Sequence, residues 1–166
     1  MDFVLLVPSR VKEKLQREAR ELGVSLEEVI LEKLEESVLD PKDRALDYVE
    51  VAEYMLNQAE KELKKGDLRQ ASEKIWGAAA LSVKAYAYWR EGKRLVSHRE
   101  LWDYTRRMVS ELGDWIKDAW AHANIMHINF YEGWAFHEHV EEALKKVKQL
   151  VKAVAEKIKP NNIPYT

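Results

Sequence analysis

The sequence predicts a mainly α fold: a short N-terminal β-strand with two helices, followed by an up-and-down bundle of about five helices. Three observations carry this. The 166 residues are 46% apolar with only six glycines and four prolines, which suits one helical domain with a small appendage and short connections. Apolar residues recur at steps of three and four over long stretches. Glycine, alone or as Gly-Asp, punctuates those stretches at helix-length intervals.

Residues 3–7, Phe-Val-Leu-Leu-Val, form a short β-prone run stopped by Pro8. A helix over about 9–22 follows, with Val11, Leu15 and Ala19 four apart, and Gly23 ends it. Ser25 with Glu28 makes a capping box for a helix over about 26–38, with Val29, Ile30 and Leu34 on its apolar face. Asp40-Pro41 then opens a helix over about 42–65, whose apolar face holds Ala45, Tyr48, Ala52, Met55, Leu56, Ala59 and Leu63. Gly66-Asp67 turns the chain into a helix over about 68–90, with Asp67 and Gln70 as a further capping box. Ser97 with Glu100 caps a helix over about 98–112, and Gly113-Asp114 leads into one over about 114–130. Tyr131-Glu132-Gly133 breaks that helix. The last, over about 136–158, carries Val140, Leu144, Val147, Val151, Val154 and Ile158 as a bundle seam. Residues 160–166 read as a loose tail. The domain plan is therefore 1–40, 41–159 and the tail.

The helix over 68–90 is the most informative. Gly77 to Ala80 is a run of four small residues. Another helix can approach closely there, at a cost of about 1 kcal/mol for the mid-helix glycine. Gln70 and Lys74, four apart, share one side of the helix as its polar margin.

Composition excludes several classes. With no cysteine there is no disulfide framework, thiolate zinc site or cysteine nucleophile. No signal-peptide pattern opens the chain, and its apolar runs fall far short of a membrane span, so a cytoplasmic protein without membrane contact is expected. Residues 1–40 hold 6 Lys+Arg against 10 Asp+Glu, net −4; residues 41–166 hold 21 against 19, net +2. Neither is the strongly basic surface of a nucleic-acid protein. Phosphate loops and nucleophile elbows are missing, and no cofactor is implied.

Strand, proline, helix, Gly-x-Ser turn and helix within forty residues resemble the ribbon-helix-helix fold, through Val7-Pro8, Leu15, Ala19, Gly23, Ser25 and Ile30. The resemblance implies a homodimer through residues 1–40, in which strands of two chains pair. In that register Phe3, Leu5 and Val7 face inward, while Asp2, Val4 and Leu6 face outward. Two aliphatics and an acid cannot hydrogen-bond to base edges, so a dimerisation or docking module is favoured and DNA is disfavoured as a partner. A DNA-binding regulator working through this ribbon is a third reading of the chain.

The stretch from Gly66 to Ala80, its continuation through Lys84, Ser97-His98-Arg99-Glu100-Leu101-Trp102 and Ala123-Asn124-Ile125-Met126-His127-Ile128-Asn129-Phe130-Tyr131-Glu132 closely resemble the archaeal PaREP-one family. That family is grouped with the HEPN superfamily of helical bundles, whose pattern here is Gln70, Ala71, Glu73, Lys74, Ala78 and Lys84, then Ser97, His98 and Leu101. The resemblance implies RNA, or a nucleotidyltransferase-like protein, as a partner. Its RNase branch needs Arg and His separated by four to six residues. The matching histidine is His127, but His122 stands five residues before it and no arginine follows Arg107. Imidazole is mostly neutral at pH 7 and lacks the guanidinium fork.

The candidate ligand-binding residues are thus Gln70, Lys74, Lys84, His98, His122, Asn129, Tyr131 and Glu132, with His127 catalytic only if the protein is an RNase. His127 and Tyr131, four apart, can meet. Asn129, Tyr131 and Glu132 could line a polar pocket or cap the helix end. Lys74 and Lys84 could hold an extended phosphate ligand or lie solvated on the surface. His98 follows an N-cap and equally serves the helix start. His137-Glu138-His139 has the wrong spacing for a metal pair on one helix face, so no metal site is expected. The six tryptophans read as core anchors before stacking platforms. The leading reading is a non-enzymatic homodimeric binding protein with a nucleotide or RNA ligand; the rival is a divergent metal-independent RNase using His127.

Overall fold

A computed structural model describes residues 4, 6–35 and 40–159, and it resolves into two compact units, Met1–Val38 and Leu39–Thr166. The first unit is a helix pair, α1 (Ser9–Leu22) and α2 (Leu26–Glu35). Gly23, at φ 67°, closes α1 by donating its N–H to Arg20, while Val24 donates to Ala19. The left-handed turn suits glycine because it has no Cβ to clash. The Ser25 hydroxyl then accepts from the Glu28 N–H at 3.1 Å, as the capping pattern predicts.

The expected strand is corrected. None occurs among the described residues: Val4, Leu6 and Val7 carry no sheet pairing, and Phe3 and Leu5 lie outside the described residues. Val4 and Leu6 are 92% exposed, and Val7, expected to face inward, is 39% exposed. β-prone residues make a strand only where a neighbouring strand pairs their N–H and C=O groups, and the described residues present none. The fold is helical throughout the described residues, without the ribbon.

The second unit is a five-helix bundle of α3 (Pro41–Lys65), α4 (Leu68–Glu91), α5 (His98–Leu112), α6 (Trp115–Glu132) and α7 (His137–Ile158). The predicted boundaries agree to within two residues. Asp40 accepts from the Lys42 and Asp43 N–H groups, with Pro41 at the first helical position. Asp67 accepts from Gln70, and Ser97 and Glu100 form the full reciprocal box.

Helix α4 is the centre of the bundle. It packs against α3, α5, α6 and α7. Every residue from Ile75 to Tyr88 is buried. The smooth run Gly77–Ala80 sits in the middle of that stretch, where small side chains let neighbouring backbones close in. The seam Val140, Leu144, Val147, Val151, Val154 and Ile158 is buried inside the bundle, each residue contributing about 1.5–3 kcal/mol. Charge clasps α5 to α4: Tyr86 donates its hydroxyl to Glu111, and Arg107 reaches Glu91 at 2.6 Å. Burial beside Glu91 pushes the Tyr104 hydroxyl up to about 12.

Candidate functional site

Three helices bring rings together. Helix α4 supplies Trp76 from its buried face. The box at Ser97 starts α5 so that its first residue, His98, lies over Trp76, ring centroids 5.1 Å apart and planes 24° from parallel. Helix α6 adds His127, 4.6 Å from Trp76 and 5.0 Å from His98. One turn on, Tyr131 meets His127 edge-on at 5.5 Å, as the four-residue spacing predicts.

The cluster extends through the bundle. Trp76 touches Trp120 at 5.4 Å, and Trp120 meets Trp102 edge-on at 5.9 Å. The result is a continuous aromatic spine: Tyr131, His127, Trp76, Trp120, Trp102. Its middle is buried, with Trp76 at 2% and Trp120 at 1%, while Tyr131 and Trp102 at its ends are nearly half exposed. Beside Trp102 lies a cleft of about 340 Å³, bordered by Thr105, Arg106, Val109, Lys117 and Trp120.

Burial pushes the His127 imidazole down to about 4, and the nearby His98 adds to this. Fewer than about one in a hundred molecules therefore hold a proton on His127 at pH 7. An efficient general acid or base titrates near the working pH. His127 is thus a neutral ring suited to packing and hydrogen bonding.

The other candidates scatter. His122 lies five residues before His127, roughly 140° round the helix. Its Nδ1 sits 2.9 Å from the Asp118 carbonyl, beside an Asp118–Lys146 ion pair on the α7 side. The two histidines of the RNase alternative therefore do not share a face. Gln70 is exposed and Lys74 half-buried on α4, roughly 120° and 160° round from Trp76. Lys84 is 3% exposed, so it is neither a surface lysine nor an open phosphate contact. Burial and the nearby Arg94 lower its ammonium to about 8, against the opposing pull of Glu100. Asn129 is fully buried; it donates to the Ser72 hydroxyl at 2.8 Å and accepts from the Ala135 N–H at 2.7 Å. Both ends of its amide thus pin the α6–α7 turn to α4. Glu132 is exposed at the end of α6, before Gly133 at φ 68°. His139 accepts from the Phe136 N–H within its own helix start, and no group of three or more metal-ligating side chains occurs among the described residues.

Two positions escaped sequence reasoning. Arg69 donates to the carbonyls of Phe130 and Tyr131 at 2.8 and 2.7 Å, clasping the end of α6. Arg106, with Trp102, borders the cleft. No local pattern marks either, because the Arg69 contacts span some sixty residues and the cleft forms only when α5 meets α6.

A family model, that of the archaeal PaREP1/PaREP8 family, matches residues 47–159. The chain belongs to this family. The matched span covers α4 to α7 whole and most of α3, and so contains the entire aromatic spine. No curated protein and no solved structure matches the chain. No helix among the described residues is long and apolar enough to cross a membrane.

Proposed function

We propose that the bundle is a non-enzymatic binder of a nucleotide or of single-stranded RNA, with Trp102 as its stacking platform. The observation that carries this is the half-exposed Trp102 beside a cleft bordered by Arg106 and Lys117. An exposed aromatic face with flanking cations is what a base and its phosphate require, and such stacking tolerates any base. The cleft volume falls in the small-ligand range. Tyr131, at the other end of the spine, offers a second surface for a longer strand. Kinship with HEPN bundles is part of the proposal, supported by the Gln70–Lys84 segment on the central helix. A neutral His127 with no arginine on its helix speaks against the RNase reading.

Fluorescence anisotropy with labelled oligoribonucleotides at low salt tests the reading. Trp102→Ala should weaken binding roughly 5- to 150-fold, the range for a lost base stack, with a smaller loss for Arg106→Ala. Absence of binding, or binding indifferent to Trp102→Ala, overturns it. RNA cleavage abolished by His127→Ala would establish the RNase instead.

A further inference from the structure

The cleft beside Trp102 has a buried side as well as an open one. Trp120 borders it from within the bundle and is 1% exposed. Its indole Nε1–H is buried and has no acceptor among the described residues. The Trp115 indole, by contrast, donates to the Leu112 carbonyl at 2.9 Å. A buried donor without a partner is costly and rare, so this one calls for an acceptor from outside the chain. Thr105, also buried, borders the same cleft. Its hydroxyl proton goes to the Trp102 carbonyl at 2.8 Å, so toward a ligand its oxygen can only accept. At the rim Lys117 is already paired with Asp114 at 2.9 Å, which leaves the exposed Arg106 as the cation for a phosphate.

Stacking on Trp102 tolerates any base, but a single N–H donor at the buried side does not. The group that reaches it is the one projecting furthest from the edge of the base. In uracil and guanine that group is a carbonyl oxygen, an acceptor. In adenine it is an amine, which sets donor against donor. We infer that the Trp120 indole N–H donates to an exocyclic carbonyl of the base stacked on Trp102, which makes the cleft selective for the keto bases uracil and guanine over adenine. Both keto bases carry a ring N–H beside that carbonyl, and the Thr105 oxygen is the acceptor for it. A site whose buried polar groups are paired by one ligand rejects the analogue that leaves them unpaired.

The inference rests on the reading of Trp102 as a stacking platform, and the test separates the two. The full chain, isotope-labelled on nitrogen, is titrated with uridine, guanosine and adenosine monophosphates and followed by NMR through the indole N–H signals of its six tryptophans. The Trp120 signal is the one missing from Trp120→Phe, which keeps an aromatic ring in the bundle. It should move downfield with the uridine and guanosine nucleotides, as a newly made hydrogen bond requires, and stay in place with the adenosine nucleotide. The two keto nucleotides should bind at least about threefold tighter than the adenosine nucleotide. Trp120→Phe should weaken uridine monophosphate about 2- to 12-fold, the net worth of one hydrogen bond, and abolish the preference. The order of the three nucleotides is measured on the wild-type chain and decides by itself if the variant does not fold. Adenosine monophosphate binding as tightly as uridine monophosphate, or a Trp120 signal unmoved at saturation, overturns the inference. Where such binding still falls with Trp102→Ala, the stacking reading survives alone. No binding, or binding indifferent to Trp102→Ala, overturns both.

Discussion

Replacing Lys84 with Met tests how a buried cation shapes this bundle. Lys84 is 3% exposed on α4, and its ammonium falls from the usual 10.5 to about 8 through burial and the nearby Arg94. Such a drop corresponds to about 3 kcal/mol of cost for holding the charge inside at neutral pH. The sign follows from proton binding. The unfolded chain keeps the proton up to about 10.5, while the folded chain releases it near 8. Between those values the unfolded state binds more protons, so stability rises with pH, by about 2 kcal/mol from pH 8 to 10. Above pH 10 Tyr86 and Tyr104 act in the opposite sense, because both are pushed up and the folded state keeps protons that the unfolded state has lost. The clean window is therefore pH 8–10. Lys84→Met should flatten the rise and add about 1–2 kcal/mol at pH 7, since loss of the amine's own contacts takes back part of the gain. Glu100 keeps the Val96 and Ser97 N–H groups and the Ser97 hydroxyl as donors when the lysine is gone. Urea unfolding followed by tryptophan fluorescence reads this directly, because all six tryptophans lie between residues 76 and 134. A wild-type curve that is flat or falling over pH 8–10, or a Met variant that retains the slope, refutes the reasoning.

Two further outcomes are expected. His127, pushed down to about 4, contributes stability that is complete above pH 6.5 and is lost as pH falls from 6.5 toward 4. Allowing for its partial exposure the loss is roughly 1–2 kcal/mol; His127→Gln should remove that acid limb from a series of urea midpoints, and an unchanged limb would contradict the assignment. Asn129→Ala leaves the buried Ala135 N–H without its acceptor and strips Ser72 of a donor, so it should cost about 2–3 kcal/mol; a change below about 1 kcal/mol would mean the α6–α7 turn is held by other contacts.

The helices were legible because their signals are local. Ser97 and Glu100 lie three apart, Gly66-Asp67 follows a run of apolar steps, and the 140–158 seam repeats at three and four. Each is read within one or two turns, and each element stands where its signal placed it. The strand at 3–7 failed because its residues favour sheet only with a partner strand, and propensity carries no information about whether one is present. The site was partly legible. His127 and Tyr131 meet because four residues bring them to one face, whereas Lys74 and Lys84, matched to one family pattern, differ in burial. Asn129 was singled out as a polar residue at a helix end, and its place is there, with both amide groups committed to the turn.

The sequence by itself determined the helices, their caps, the family and the absence of an arginine beside His127, since all of these are set by neighbours a few positions away. Only the tertiary structure decided that Trp76, His98, His127, Trp120 and Trp102 form one spine, that Lys84 is buried, and that the Trp120 indole borders a cleft. Those depend on which sides of α4, α5 and α6 meet. That choice is made by packing, because it maximises buried apolar area over the whole bundle rather than within any one helix.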